Sequence, residues 1–154
     1  MKIVSLRYFL LAAPIVFGAT AARAVCFYPH STISGYKLPL KAEVQSSQDI
    51  AVGVVIGVRA LQEDPADPTG VTAYIYTIDL SRRLKGNVPK RIMLRAENDS
   101  GAYRMALGET DLLFLTQLDG KFAVDACGNS TKLPKGKDVV IEVGNILAHH
   151  RPSL

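Results

Sequence analysis

The clearest pattern of apolar and polar positions lies near the C-terminal end, where two short apolar runs flank Asp119-Gly120. Residues 112–118 and 121–126 alternate as a half-buried β-hairpin requires, and Asp-Gly accepts the positive φ angles of a type I′ turn. In this register Leu112 and Phe114 point away from the core, so the strand is predicted to be covered on both sides. The predicted core face carries Leu113, Leu115, Phe122, Val124 and Ala126.

Two long strands are predicted upstream of this hairpin. Residues 50–61 are rich in β-branched side chains and contain Gly53 and Gly57, which indicate bends of the kind that a strand needs to curl around a small barrel. An acidic loop at residues 62–70 separates this segment from the second strand, at residues 71–80. The second strand has Tyr74, Tyr76, Ile78 and Leu80 on one side, and this side is predicted to face inward for part of its length.

A third strand and its connections complete the predicted sheet. Residues 91–96 place Ile92 and Leu94 on one face and Met93 on the other. Residues 81–89 are expected to form a turn, and residues 97–107 a loop or a short helix across the barrel.

Helical periodicity appears only at the two ends of the folded region. The segment 25–48 is predicted to be an extended arm with one short turn or helix around residues 40–45. Residues 131–137 are predicted to be a linker, after which Asp138 can cap a C-terminal helix that is weakened by about 1 kcal/mol at Gly144. The spacing that predicts this helix is formed by Val139, Val143, Ile146, Leu147 and His150.

The order of these elements predicts a mainly β protein. Two long strands, a third strand, a connection and a hairpin fit the five-stranded Greek-key barrel called the OB-fold, here followed by a C-terminal helix. An immunoglobulin-like sandwich is the alternative, but it requires about seven strands. The predicted divisions are a signal peptide at 1–24, an arm at 25–48, the barrel at 49–130, and a linker with the helix at 131–154.

The first 24 residues have the pattern of a cleaved secretory signal. Lys2 and Arg7 precede an apolar run of about 11 residues, shorter than the roughly 20 that cross a bilayer, and small residues follow up to Ala24. Cleavage after Ala24 would leave no membrane anchor and would predict a periplasmic or extracellular location. The signal holds three of the 18 basic residues and no acid, so 15 basic residues then face 14 acidic ones. This near-neutral balance gives no reason to expect nucleic-acid binding.

The only two cysteines are Cys26 and Cys127. An exported chain meets oxidising conditions, so a disulfide between them is expected. A loop of about 100 residues closed in this way stabilises a fold by roughly 4.7 kcal/mol in the chain-entropy description. The bond would hold the N-terminal arm beside the end of the hairpin.

Several short motifs occur in an order that resembles the netrin-like family, which includes the tissue inhibitors of metalloproteinases. They are the cysteine near the mature N-terminus, GVVIGV in the first strand, YTIDLSRRLKG after the second, LGETDLLFL opening the fourth and CGNS closing the fifth. The resemblance covers residues 26–130. The residues that match the family's motifs are Leu84, Lys85, Gly86, Gly108, Leu112, Leu113, Phe114 and Cys127.

The resemblance implies a non-enzymatic module that binds another protein, and a metalloprotease is one partner class that it suggests. Inhibitory members begin with Cys-x-Cys and ligate the catalytic zinc through the first residue. Here Val25 precedes Cys26, and Tyr28 stands two residues further on, so such a chelate would have to come from Val25. The expected partner-binding residues are Val25, Cys26, Phe27, Tyr28, Gly128, Asn129 and Ser130.

Other functions are weighed against this hypothesis. The main alternative is an OB-fold binder of an oligosaccharide or other small ligand, which exposed rings among Tyr74, Tyr76 and Tyr103 would favour. No nucleophile or acid-base pair is suggested by spacing, so no enzyme and no cofactor is expected. The three histidines lack the spacing of a zinc site, and the most compact basic cluster is Arg82, Arg83 and Lys85.

Overall fold

The strands and helices follow one another in the predicted order in the computed structural model, which describes residues 26–99, 101–118 and 120–149. The predicted signal peptide, Val25, Asp119 and His150 lie outside the described residues. No helix among the described residues has the length and apolarity needed to cross a membrane. The elements are α1 (Leu40–Ser46), β1 (Asp49–Leu61), β2 (Ala73–Lys85), β3 (Arg91–Glu97), β4 (Thr110–Leu118), β5 (Lys121–Ala123), β6 (Thr131–Lys132) and α2 (Lys137–His149).

Five of the strands close into a barrel. Around the ring β1 pairs with β2, β2 with β3, β3 with β5, β5 with β4, and β4 again with β1. The β3–β5 contact, at Leu94 and Phe122, is parallel, whereas the other pairings are antiparallel. The prediction of a mainly β, OB-fold-like Greek-key barrel with a C-terminal helix is therefore confirmed.

Strand β1 closes the barrel because its first half pairs on both edges. Residues 49–54 pair with β4, and the same strand pairs with β2 along almost its whole length. The register with β2 shifts at three places, the last between Val55 and Gly57. Such irregularities increase the bend and twist of a strand. At Gly53 the neighbouring strand approaches so closely that a Cβ would collide with the side chains of Ile78 and Leu80.

Two hydrophobic clusters lie on opposite sides of the barrel wall. The first fills the barrel and is built around Tyr76, Ile78, Leu94, Leu113 and Leu115. The second lies between the wall and the two helices and consists of Val44, Ile50, Val52, Leu112, Phe114 and Val143. The prediction that Leu112 and Phe114 are covered on the far side of their strand is confirmed, since they are 0% and 2% exposed.

Three predicted boundaries are wrong, the first two because a long-range pairing overrides a turn-like composition. Ser81–Lys85 were expected to turn, but they extend β2 and lie opposite the start of β1. Thr131 and Lys132 were assigned to a linker, but they form β6 on the free edge of β4. The second strand of the hairpin ends at Ala123, three residues earlier than predicted.

The N-terminal boundary of the last helix also differs from the prediction. The helix begins at Lys137, so Asp138 lies in its first turn and is not the capping residue. A carboxylate in this position still interacts favourably with the positive end of the helix dipole. In the connection 97–107, which was expected to be a loop or short helix, the described residues contain no helix.

The Lys85-Gly86 pair, one of the family-like motifs, has a structural role here. The ammonium group of Lys85 donates hydrogen bonds to the carbonyl oxygens of Val44, Gln45 and Ser47, at 2.8, 3.0 and 2.6 Å. These carbonyls lie at the C-terminal end of α1, where a helix leaves its last acceptors without partners. Gly86 has a φ of 78°, and a Cβ there would collide with Asp49. The pair therefore fixes α1 to the end of β2.

Replacement of Lys85 should destabilise the fold much more than replacement of another lysine near α1. Lys85→Met keeps most of the aliphatic stem but leaves three carbonyls short of a donor, which costs about 1–3 kcal/mol. Lys41→Met, on the exposed side of the same helix, is the matched control. Chemical denaturation of the two variants measures the difference, and equal free energies of unfolding would contradict this role of Lys85.

Candidate functional site

The disulfide between Cys26 and Cys127 brings the N-terminal arm to the end of the β4–β5 hairpin. Their Cα atoms lie 5.7 Å apart, although the two residues are separated by 101 positions in the sequence. The predicted disulfide is therefore confirmed. It joins the two segments that were expected to form the partner-binding surface, except that Val25 lies outside the described residues.

Residues 26–36, called the arm hairpin below, form a small closed unit. Phe27 and Ser34 form an antiparallel bridge, and the amide of Tyr28 donates to the carbonyl of Ile33 at 2.9 Å. The carbonyl of Cys26 accepts hydrogen bonds from the amides at positions 35 and 36, at 2.8 and 3.0 Å. The unit is thus closed by backbone bonds at both ends in addition to the disulfide.

The segment that follows the arm hairpin is attached to the barrel by a buried polar contact. The carboxylate of Glu43 on α1 accepts hydrogen bonds from the amide and the side chain of Asn129, at 2.6 and 2.7 Å. The side chain of Asn129 also donates to the carbonyl of Leu38, at 2.7 Å. Leu38 in turn donates its amide to the carbonyl of Cys127, at 3.1 Å. The arm and the end of the β4–β5 hairpin are therefore linked by both a covalent bond and polar contacts.

Burial changes the acidity of Glu43. The residue is only 4% exposed. Removal from water disfavours the charged carboxylate and raises its pKa above the ordinary value of 4.5, although the hydrogen bonds from Asn129 oppose this shift. Among the described residues, the hydrogen bonds from Asn129 are the main interactions that favour the carboxylate, and the attraction to Lys37 is weaker.

The residues after Cys127 that were expected to contact a partner serve the fold through their own contacts. Gly128 and Asn129 are buried, and a Cβ at Gly128 would collide with the Glu43 carboxylate. The hydroxyl of Ser130 accepts a hydrogen bond from the amide of Phe114, at 3.0 Å. This amide lies on β4 between the stretches that pair with β5 and with β6, so Ser130 supplies the acceptor that neither strand provides there.

The arm hairpin presents the other part of the expected surface. Phe27, Tyr28 and Ile33 are 53%, 50% and 66% exposed. The ring of Tyr28 meets that of Tyr36 edge to face, with 5.4 Å between the centroids. Three large apolar side chains therefore stand in solvent within seven consecutive residues of a chain segment that is fixed at several points.

A buried acid that sequence reasoning did not single out as functional lies on β4. Asp111 is 0% exposed, and one of its oxygens accepts a hydrogen bond from the hydroxyl of Tyr103, at 2.8 Å. Its other oxygen has no hydrogen-bond partner among the described residues. Burial raises the pKa of Asp111, and the bond from Tyr103 opposes the shift. Burial also raises the pKa of Tyr103, because the charged phenolate would be removed from water. The hydrogen bond to Asp111 and the negative charge of Asp111 raise it further.

The tyrosines that would have favoured an oligosaccharide site are only partly available. Tyr76 is buried at 2% exposure, and Tyr103 is half-buried with its hydroxyl on Asp111. Tyr74 is half-buried too, and the guanidinium of Arg104 lies 5.3 Å from the centre of its ring. None of the three presents a fully exposed ring for a sugar to stack on.

The basic cluster and the histidines considered in the sequence are partly engaged in the fold and partly exposed. Lys85 is engaged by α1, whereas Arg82 and Arg83 stay exposed beside α2. His149 contacts the carbonyl of Asn145 in its own helix. In the parts of the chain that the structure describes, no group of three or more His, Cys, Asp or Glu residues is arranged to hold a metal ion.

Comparison with known proteins adds no relative. No protein-family description matches the chain, and no curated protein matches it significantly. The likeness to the netrin-like family therefore rests on the sequence motifs alone.

The buried carboxylate of Glu43 predicts a specific pH dependence. A raised folded-state pKa means that the folded protein binds the proton more tightly than the unfolded chain does. The corresponding stability is complete below about pH 4.5 and is lost as the pH rises through the folded-state value. Glu43→Gln removes this titration, so wild type should lose stability relative to the variant as the pH is raised from 4 to 8.

The measurement is the midpoint of urea unfolding at a series of pH values. Glu142→Gln, at an exposed position of α2, is the control for the loss of one negative charge. A difference between wild type and Glu43→Gln that stays constant across this range, or grows in favour of wild type, would contradict the prediction.

Proposed function

We propose that this chain is an exported, non-enzymatic module of netrin-like type that binds another protein through the arm hairpin. The observation that carries the proposal is the exposure of Phe27, Tyr28 and Ile33 on a segment that the disulfide and the Asn129 contacts hold in place. Aromatic side chains are enriched in the energetically dominant centres of protein interfaces. The disulfide is also consistent with export into an oxidising compartment.

The fixed conformation of the arm hairpin supports binding more than exposure alone would. Binding by a flexible segment requires that its freedom be lost, and this loss reduces the affinity. Here the carbonyl of Cys26 and the amide of Tyr28 already have backbone partners, and Tyr28 already rests on Tyr36. A partner therefore meets side chains that are largely preorganised.

The same geometry limits how the chain could inhibit a metalloprotease. Zinc chelation by the N-terminal residue needs a free amine and a free carbonyl on one residue. The carbonyl of Cys26 already accepts two hydrogen bonds from within the arm hairpin, so Cys26 is not placed to chelate. A chelate would therefore have to come from Val25, and the proposal is instead binding through side chains, whether or not the partner is a protease.

Removal of the exposed rings should abolish partner binding without unfolding the chain. The double variant Phe27→Ser, Tyr28→Ser is expected to bind at least about 100-fold more weakly. Each dominant interface residue contributes about 1.4 kcal/mol or more, which is about tenfold in affinity. The double variant Leu107→Ser, Ile141→Ser is a matched control, because these two side chains are 67% and 54% exposed and neither belongs to the arm hairpin.

A photo-reactive residue at position 33 first captures the partner from the compartment to which the chain is exported. Titration of the purified partner then measures affinity for each variant, and mass spectrometry verifies the disulfide. Unchanged affinity of the Phe27, Tyr28 variant in an oxidised, folded protein would overturn the proposal, as would a loss of binding confined to the control variant.

A one-residue extension of the mature N-terminus separates side-chain binding from zinc chelation. An additional alanine before Val25 converts the terminal amine into an amide and moves the charged end by one residue. Side-chain binding predicts a change in affinity of less than about threefold, because the arm hairpin begins after this point. Chelation predicts a loss of binding, and titration of the captured and purified partner decides between the two.

A further inference from the structure

A groove on the outer face of the barrel is formed by residues of β1, β2, β3 and the start of β5, far along the chain from the arm hairpin. Its volume is ≈ 320 Å³, at the lower end of the range for ligand sites. The groove is lined by both apolar and cationic side chains, which is the combination that an amphiphilic anion requires.

Strand register places these side chains on one face. Ile75 of β2 lies opposite Arg59 of β1 on one side and opposite Arg95 of β3 on the other. Met93, two residues from Arg95 and therefore on the same face of β3, is 67% exposed. The apolar floor formed by Ile75 and Met93 thus has an arginine on either side.

The charges in the groove are not balanced. Arg95 donates to Glu63 and to Glu97, with its closest contacts at 2.7 and 2.6 Å, and Arg91 is paired with Asp79. The hydrogen bonds from Arg95 lower the pKa of Glu63, so this acid stays ionised. Lys121 also lines the groove and interacts electrostatically with Glu63.

Arg91 and Arg95 contact carboxylates, and Lys121 interacts electrostatically with Glu63, whereas Arg59 has neither kind of partner among the described residues. Four cationic side chains line the groove and three carboxylates contact two of them, which leaves one positive charge in excess among the described residues. The guanidinium of Arg59 makes no hydrogen bond or ion pair with any described residue, and the residue is exposed. A guanidinium group that has no carboxylate partner within the protein is suited to bind the carboxylate of a ligand.

We propose that this groove binds a small, soluble amphiphilic carboxylate, with the carboxylate on Arg59 and the apolar chain over Ile75 and Met93. At about 30 Å³ for each non-hydrogen atom, as in liquid water, the volume corresponds to a ligand of about ten such atoms. Octanoate has this size and charge. The proposal uses none of the arm residues, so it and the proposed function can fail independently.

The test is a titration of the full mature chain with octanoate, followed through the NMR signals of the methyl groups of Met93 and Ile75. Saturable shifts of these two methyl signals are expected. Octanamide, which has the same chain and no charge, should bind at least tenfold more weakly. Equal binding of the two compounds, or shifts confined to other methyl groups, would overturn the proposal.

Single-residue variants test whether Arg59 is the cation that binds the carboxylate of the ligand. Arg59→Gln should weaken octanoate binding at least tenfold, whereas Arg83→Gln, an exposed arginine at the opposite end of β2, should leave it unchanged. Unchanged binding by Arg59→Gln would overturn the assignment. Sedimentation with phosphatidylglycerol vesicles distinguishes a soluble ligand from a membrane surface, since binding to vesicles that requires Arg59, without binding of octanoate, would replace the proposed ligand with a lipid headgroup.

Discussion

Barrel closure through β1 is the constraint on which the rest of this structure depends. Because residues 50–54 pair with β2 on one edge and β4 on the other, their backbone polar groups are satisfied within the sheet on both sides. The wall that results has two faces to cover. Inside it Ala51 and Val55 join the barrel core, and outside it Ile50 and Val52 require α1 and α2. The two helices are therefore an integral part of the fold, because they cover the outer apolar face of the wall.

The two helices pack on the wall through the outer hydrophobic cluster, whereas the arm hairpin and the hairpin end are held mainly by the disulfide and by polar contacts. The arm hairpin contributes no side chain to either cluster, and its largest apolar side chains stay in solvent. Lys85 binds the end of α1, Glu43 and Asn129 link α1 to the hairpin end, and Ser130 completes the pairing of β4. A buried hydrogen bond costs much more to break on one side than it contributes when both partners are present. Such contacts fix one position of the arm even where apolar burial is small.

How far the sequence predicts this structure follows from the range of the contacts involved. The strands of the hairpin and β1 were predictable because alternation and Asp-Gly act locally, and the disulfide because the chain has only two cysteines. Three features could not be predicted from local sequence: the extension of β2 through Lys85, the short β6 and the Glu43–Asn129 contact. The last of these joins residues that are 86 positions apart. Asn129 has no local signal of burial, because Asn and Ser after a glycine are also typical of an exposed turn. The sequence thus predicted that the arm and the hairpin end lie together, but not which of their residues face the solvent.

The exposed side chains of the arm hairpin are not explained by stability. Single apolar residues on a surface are common, and Leu107 and Ile141 need no special account. Phe27, Tyr28 and Ile33 differ because they share one short unit in which the disulfide, the carbonyl of Cys26 and the bond between Tyr28 and Ile33 already supply the order. Polar replacements at these three positions would leave both hydrophobic clusters complete, since none of the three belongs to either. The proposed partner would account for a fixed unit whose apolar side chains contribute to neither core.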